Sequence, residues 1–256
     1  MMKKKIESIV FIGAGNVATH LANELSKHLS IKGILSKNDV SAKLLAEKLQ
    51  TNFISNINEI PSCDLVLICT NDGSIASIED ELPEHFNVAY TSGSIELNFQ
   101  TKRKNYGVFY PLQTFSKDRK IDLSIVPFLI EATNDSFQES LFELAQTVSN
   151  SVSLVSSFER KHLHVSAVFI NNFTNHLAEI AQEYTIQQNL KWEYLLPLIQ
   201  ETTAKIIEIG PKNAQTGPAK RNDQIVINEH LSMLDGFPKE IYKLLSESIL
   251  NSYSKQ

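Results

Sequence analysis

An apolar strand that runs into a glycine turn and then into a helix constrains this chain more than any other segment. Glu7-Ser8-Ile9-Val10-Phe11-Ile12 leads into Gly13-Ala14-Gly15-Asn16-Val17-Ala18, and the helical pattern Thr19-His20-Leu21-Ala22-Asn23-Glu24-Leu25 follows. The spacing is G-x-G-x-x-A. Gly13 permits the tight turn out of the strand, Gly15 lets the backbone approach a pyrophosphate, and Ala18 is small enough for helix to pack on strand. Free N–H groups of the first helical turn, around Asn16 and Val17, favour phosphate charge. Glycine patterns recur by chance, but one placed between an apolar strand and a helix predicts a dinucleotide site. The competing reading is a glycine-rich structural turn.

Composition narrows the partners. The 256 residues suffice for one large domain or two modest ones. A net charge of −5 with no basic stripe argues against nucleic acid. Lys3-Lys4-Lys5 and Lys102-Arg103-Lys104 read as solvated ends or loops. The cysteines, Cys63 and Cys69, belong to no metal or redox spacing, and Cys69 sits in the apolar run Leu65-Val66-Leu67-Ile68-Cys69. A reducing, cytoplasmic setting is the expectation. No apolar stretch approaches the roughly 18 residues of a membrane span. The apolar run after Lys5 ends too soon, at Gly13, for a signal peptide.

Strand-like and helical runs alternate up to about residue 155, which predicts a parallel sheet with helices on both faces. Strands are expected at 9–12, 31–35, 52–54, 64–69, 88–90, 107–110, 126–131 and 151–155, with helices at 40–49 and 136–148. From Phe158 glycine becomes rare and the spacing turns helical. One long helix is expected over 158–188, another over 194–209 with Pro197 in its first turn, and two more near 223–234 and 238–250. The expected fold is a Rossmann-type doubly wound α/β domain over 1–156, followed by an all-helical domain over 157–256 for substrate and dimerisation.

A ribose-reading residue should stand about 20 positions after the glycines, at the end of the second strand. The chain there reads Leu35-Ser36-Lys37-Asn38-Asp39. A hydroxyl followed by a cation suits a 2′-phosphate, so Ser36 and Lys37 favour NADP over NAD; Asp39 shifted into the ribose role would favour NAD. The loops after the fourth and fifth strands, Thr70-Asn71-Asp72-Gly73 and Thr91-Ser92-Gly93-Ser94, should line the crevice at the strand ends. Thr70, Asn71, Ser92 and Gly93 are the cofactor candidates there, although the same residue types make ordinary helix caps.

Three further segments carry a family likeness: Gly107-Val108-Phe109-Tyr110-Pro111-Leu112-Gln113-Thr114-Phe115, His164-Val165-Ser166-Ala167-Val168-Phe169-Ile170-Asn171-Asn172-Phe173, and Thr216-Gly217-Pro218-Ala219-Lys220-Arg221-Asn222-Asp223. With the glycine turn and Thr91-Ser92-Gly93-Ser94, the chain resembles Rossmann-like proteins carrying the DUF2520 domain. That family is labelled NADP oxidoreductase and is similar in plan to pyrroline-5-carboxylate reductase and ketopantoate reductase. The family's last motif ends in Arg-Gly-Asp, whereas this chain has Asn222 in place of the glycine. Asparagine is the residue after glycine that best tolerates a positive φ.

Hydride transfer to a carbonyl or imine needs a proton donor and groups that fix the substrate. Arg160, His164, Asn171 and Asn175 stand at intervals of four, seven and four, placing them on one face of a helix. His164 is the candidate acid, Asn171 and Asn172 could orient a carboxyl or amide, and Arg160 could clamp a carboxylate. Arg221 could reach the nicotinamide, or pair with Asp223 to fix the turn. His230 and Glu229 read as a structural pair. The lysine that hydroxyacid dehydrogenases of similar plan place four residues before an asparagine is absent, because Ala167 precedes Asn171 and Val168 precedes Asn172. No metal-ligand spacing, nucleophile elbow or P-loop lysine occurs. These residues point to an NAD(P)-dependent oxidoreductase acting on a small carboxylated carbonyl or imine substrate, as a homodimer with no nucleic-acid or membrane partner. The alternative is a non-catalytic nucleotide-binding sensor or interaction protein.

Overall fold

A computed structural model describes residues 5–253; the start of the first basic cluster, Lys3 and Lys4, lies outside the described residues. The chain forms two compact units, Met1–Asn172 and Phe173–Gln256. In the first unit, β1 (Ser8–Ile12) leads through the glycine turn into α1 (Asn16–Leu25), followed by β2 (Ser30–Leu35), α2 (Asp39–Lys48) and β3 (Phe53–Ile54). Then come β4 (Leu65–Ile68), α3 (Ile75–Glu81), β5 (Val88–Tyr90), β6 (Tyr106–Pro111), β7 (Phe128–Ala132), α4 (Asp135–Gln146), β8 (Val152–Leu154) and α5 (Ser157–Ala167). Among the described residues the sheet order is β3-β2-β1-β4-β5-β6-β7-β8.

Each strand in the middle of the sheet is buried on both faces, and the two-residue side-chain period sorts it into two cores. Ile9 and Phe11 of β1 pack with Leu21 and Leu25 of α1 and Leu141 of α4. Val10 and Ile12 of the same strand pack on the other face with Ile75, Leu82 and Phe86. One expectation is corrected. The sheet is parallel except at β6 and β7, which pair antiparallel from Gly107↔Ala132 to Pro111↔Phe128. An antiparallel neighbour needs only a connection that turns the chain back. The segment between these strands, which holds a short 3₁₀ turn at Leu123–Ile125, returns the chain beside itself.

The basic run at 102–104 is not a wholly solvated loop. Arg103 is buried, and its guanidinium donates to the carbonyls of Pro83, at 2.7 Å, Glu79 and Leu82. It thereby satisfies the C-terminal carbonyls of α3, where a cation is favoured.

α5 is fixed at both its start and its second turn. Ser156 and Glu159 form a reciprocal capping box, the Glu159 N–H donating to Ser156 Oγ at 3.2 Å and the Ser156 N–H to Glu159 Oε2 at 2.8 Å. Arg160, fully buried, donates to Glu131 Oε2 of β7 at 3.0 Å and to the carbonyls of Ser92 and Ile95 at 3.0 and 2.7 Å. Ser157 donates its hydroxyl and its N–H to the Glu131 carboxylate, at 2.7 and 2.8 Å. This network sews the helix to β7 and to the loop after β5.

After α5 the expected single helix is interrupted by a π-helical turn, Val168–Phe173, before α6 (Thr174–Gln187). The sequence there, Val-Phe-Ile-Asn-Asn-Phe, holds β-branched and aromatic residues with two asparagines whose amides compete with the backbone, a poor α-helical stretch. The second unit continues with α7 (Leu196–Ile209), α8 (Pro211–Ala214), α9 (Gln224–Met233) and α10 (Gly236–Tyr253). Asn222 has φ of +55°, so the family's glycine turn keeps its backbone shape here. His230 pairs with the Tyr242 hydroxyl of α10 at 2.8 Å and not with Glu229.

Removing one partner of a buried ion pair strands the other charge, which costs about 3–5 kcal/mol. Arg160→Met should therefore lower the urea-unfolding free energy by about that amount. A loss below about 1 kcal/mol would show that the pair does not anchor α5.

Candidate functional site

The site begins where β1, β4 and β5 end side by side, at the reversal of strand order that opens a crevice at the carboxyl edge of such sheets. Gly13, at φ +116°, donates its N–H to Leu35 O at 2.7 Å, and a Cβ on it would come within 2.3 Å of Cys69 O. Glycine is therefore required at position 13 by the fold itself. Gly15 is different. Its φ of −80° suits any residue, and a Cβ there would meet no protein atom within 4 Å. Neither strain nor packing calls for glycine at that position, and the backbone of this N-cap residue stands bare.

Ala14 is buried, Ala18 packs fully buried against the sheet, and Val17 packs at the margin of the same core. Asn16 is the first residue of α1, but its side-chain amide donates to Phe115 O at 2.8 Å. With His20, whose Nε2 lies 2.9 Å from Ser116 O, it ties the loop after β6 onto α1. The Asn16 side chain is thus engaged within the protein, and its backbone N–H stands at the helix terminus.

At the end of β2, Ser36 accepts from the Asn38 N–H at 3.3 Å, and Asn38 caps α2 by accepting from the Ser41 N–H at 3.0 Å. Lys37 is exposed beside them. The loop after β4 is held by its own polar groups, Asn71 Oδ1 accepting from Ser74 Oγ at 2.6 Å, with Thr70 partly buried. Ser94 donates to Asp72, which joins the loops after β4 and β5. Ser92 is buried, and its hydroxyl accepts from the N–H groups of Ser94 and Ile95 at 3.1 and 3.0 Å. Cys69, beneath this edge, has its thiol pushed up to about 12 by burial, so it stays neutral and unreactive.

The chemistry-bearing groups converge next to Gly93. Tyr110, at the end of β6, has its hydroxyl 3.0 Å from Nδ1 of His164 on α5. A Cβ on Gly93 would come within 2.6 Å of that Nδ1 and 2.8 Å of the Tyr110 hydroxyl. The glycine is thus the floor on which the pair rests. Beside it lies a cavity of about 460 Å³, bordered by Tyr110, Leu112, Gln113, His164, Asn171 and Asn172 and wholly within the first unit. His164, Asn171 and Asn172 are therefore brought together, as their sequence grouping suggests. Arg160 is not: its fork is consumed by the buried network and cannot clamp a substrate. Burial, with Asp72 adding to it and Arg160 opposing it, holds the Tyr110 phenol above its ordinary value, so it remains protonated.

In the second unit, Arg221 is exposed on the turn before α9. Asp223 is the N-cap of that helix, accepting from the Val226 N–H at 3.3 Å, and is not recorded as an ion-pair partner of Arg221 among the described residues. No helix among the described residues is long and apolar enough to cross a membrane.

Comparison with known proteins fits this geometry. Residues 126–249 match the domain of unknown function DUF2520. A protein of Bacteroides fragilis, named as a candidate NADP oxidoreductase, is 40% identical over 96% of this chain and 98% of its own, with a TM-score of 0.89. The chain belongs to the DUF2520 family. In this DUF2520 protein, residues 8–91 also match the oxidoreductase family with an NAD-binding Rossmann fold. The fold is shared with a Thermotoga maritima protein (21% identity, 93% and 98% coverage, TM-score 0.76) and with an imine reductase of Myxococcus stipitatus in complex with NADP+ (12% identity, 97% and 93% coverage, TM-score 0.67). No curated protein matches it.

Two residues of the site escape sequence reasoning. Tyr110 lies inside a motif that marks the family but carries no role by spacing alone. Glu131 had a signal: it is the lone charge in an otherwise apolar strand, Phe128–Ala132.

If Gly15 is kept bare for a pyrophosphate, NADPH at about 100 times its dissociation constant should add roughly 2.7 kcal/mol and raise the thermal midpoint by roughly 5–10 °C. Gly15→Val should abolish that shift and leave the unliganded midpoint nearly unchanged. Gly13→Val should instead destabilise the protein without ligand, since its side chain would collide with the Cys69 carbonyl. A full NADPH shift in Gly15→Val would contradict the assignment.

Proposed function

We propose that this protein is an NADP-dependent reductase or dehydrogenase that moves a hydride between the nicotinamide and a small carboxylated carbonyl or imine compound. The observation that carries the reading is the juxtaposition at one sheet edge of a glycine turn bare at Gly15 and the Tyr110–His164 pair beside a cavity. The backbone N–H groups of Gly15, Asn16 and Val17 and the dipole of α1 would hold the pyrophosphate. Ser36 and Lys37 would take the 2′-phosphate, with Thr70, Asn71, Ser92 and Gly93 along the crevice. When bound, the nicotinamide supplies the hydride.

His164 then provides the proton for the oxygen or nitrogen on which charge develops. The amides of Asn171 and Asn172 hold the substrate carboxyl group by hydrogen bonds. Arg221 is the charged member of the proposed catalytic set. Leu112 and Ile170 add apolar surface to the lining of the same cavity.

The same account includes a homodimer formed by the helical unit and a cytoplasmic setting. Support for the dimer comes from apolar side chains the chain leaves uncovered, among them Ile207, Ile225 and Phe237, exposed by 80, 82 and 79%. Support for a reducing setting comes from the spacing of Cys63 and Cys69, which fits no metal or redox motif. Light scattering at micromolar concentration should give twice the chain mass; a monomer would remove the dimer.

His164→Ala should depress turnover by about 10²–10⁴ and leave NADPH affinity intact, because a proton donor acts on the transition state. Stopped-flow nicotinamide absorbance with carbonyl and imine acids would measure it. An unchanged rate would return His164 to a structural role. In the same assay, Ser36→Asp with Lys37→Ala should shift preference toward NADH by at least tenfold, about 1.4 kcal/mol. A wild-type preference for NADH would overturn the assignment at this strand end.

A further inference from the structure

We propose that Tyr110 is a positioning residue that sets the tautomer of His164, donating its phenolic proton to Nδ1 so that the ring carries its own proton on Nε2, toward the cavity. The argument starts from satisfaction of a buried donor. Tyr110 is 9% exposed, and the partner recorded for its hydroxyl is His164 Nδ1, at 3.0 Å. A buried hydroxyl proton left without an acceptor costs about 1–3 kcal/mol. If Nδ1 carried the ring proton and donated to the phenol oxygen, the phenolic proton would have no acceptor recorded among the described residues. With Nδ1 bare, the single contact satisfies both groups.

Three features hold the pair in this arrangement. Arg160, one turn earlier on α5, is locked by Glu131 and by the carbonyls of Ser92 and Ile95, which fixes the height of His164 over the sheet. Gly93 gives the two rings room, since a side chain there would meet both. The rings meet edge to face, with centroids 6.0 Å apart and planes at 67°. The charged groups that act on the phenol are Arg160 and Asp72, which oppose each other. A phenol hydrogen-bonded to the ring nitrogen thus does here what a carboxylate or backbone carbonyl does elsewhere for a catalytic histidine, with opposite proton polarity. It leaves Nε2–H as a donor to a substrate oxygen or nitrogen.

The tautomer itself does not depend on turnover, whereas its catalytic consequence rests on the hydride-transfer reading. Long-range ¹H–¹⁵N correlation spectra of the full-length, ligand-free protein would report it, recorded at an alkaline pH where the spectra themselves show neutral rings. The His164 signals are identified by their loss in His164→Gln. Wild type should show a bare Nδ1 and a protonated Nε2. Tyr110→Phe, which keeps ring volume, should give a mixture of tautomers, as should Gly93→Ala, which displaces the pair. A protonated Nδ1 in wild type, or a His164 spectrum unchanged by both substitutions, would overturn the proposal. With a working substrate, Tyr110→Phe should lower kcat by tenfold or more, though by less than His164→Ala, and leave the KM for NADPH unchanged. A fall in NADPH affinity with kcat intact would overturn the positioning role. Absence of turnover with every substrate would count against the hydride-transfer reading and leave the tautomer result standing.

Discussion

The buried ion pair between Arg160 and Glu131 is the constraint on which the site depends. A cation and a carboxylate withdrawn from water are tolerated only when their remaining donors and acceptors are filled. Here Ser157 and the carbonyls of Ser92 and Ile95 fill most of them, leaving only Arg160 Nε without a partner. The partners come from three places in the sequence: the loop after β5, strand β7 and helix α5. Satisfying the charge therefore fixes all three relative to one another. His164, four residues beyond Arg160, inherits that precision, and so does the loop whose glycine lies beneath it.

A second loop is organised for a different reason. The segment after β6 leaves Tyr110 at the cavity, then crosses to α1, where Asn16 and His20 hold its carbonyls. The strand that positions the phenol is thereby connected to the helix whose N-terminus faces the glycine turn. The proposed nucleotide and substrate ends of the crevice are mechanically linked through the side chains of Asn16 and His20, which bond the carbonyls of Phe115 and Ser116. The protonated state of the surrounding groups suits this arrangement. Burial keeps the Cys69 thiol and the Tyr110 phenol neutral, so neither competes as a nucleophile or a base.

Much of this plan is written locally and is legible as such. The alternation of apolar strands and amphipathic helices, the G-x-G-x-x-A turn and the positive φ at Asn222 follow from neighbours in sequence. What is not legible depends on distant pairing. Arg160 reads as a clamp for a substrate carboxylate because helical spacing puts it in line with His164; only Glu131, 29 positions away, turns it into a core residue. Arg103 is likewise drawn in by the C-terminal carbonyls of α3. The reversal at β7 is a matter of its pairing with β6, from Gly107↔Ala132 to Pro111↔Phe128, and the π-turn at 168–173 breaks a periodicity that looks continuous in letters. Tyr110 gains its role only when β6 and α5 meet.

The central claim is that the sheet edge from Gly15 to Tyr110 is one dinucleotide and substrate crevice. A crystal structure of the protein with NADPH tests it most directly. The account predicts the pyrophosphate over the backbone N–H groups of Gly15 to Val17, the 2′-phosphate at Ser36 and Lys37, and the nicotinamide ring facing His164 beside Gly93. Density for the nucleotide at any other place, or the nicotinamide turned away from the Tyr110–His164 pair, would contradict it.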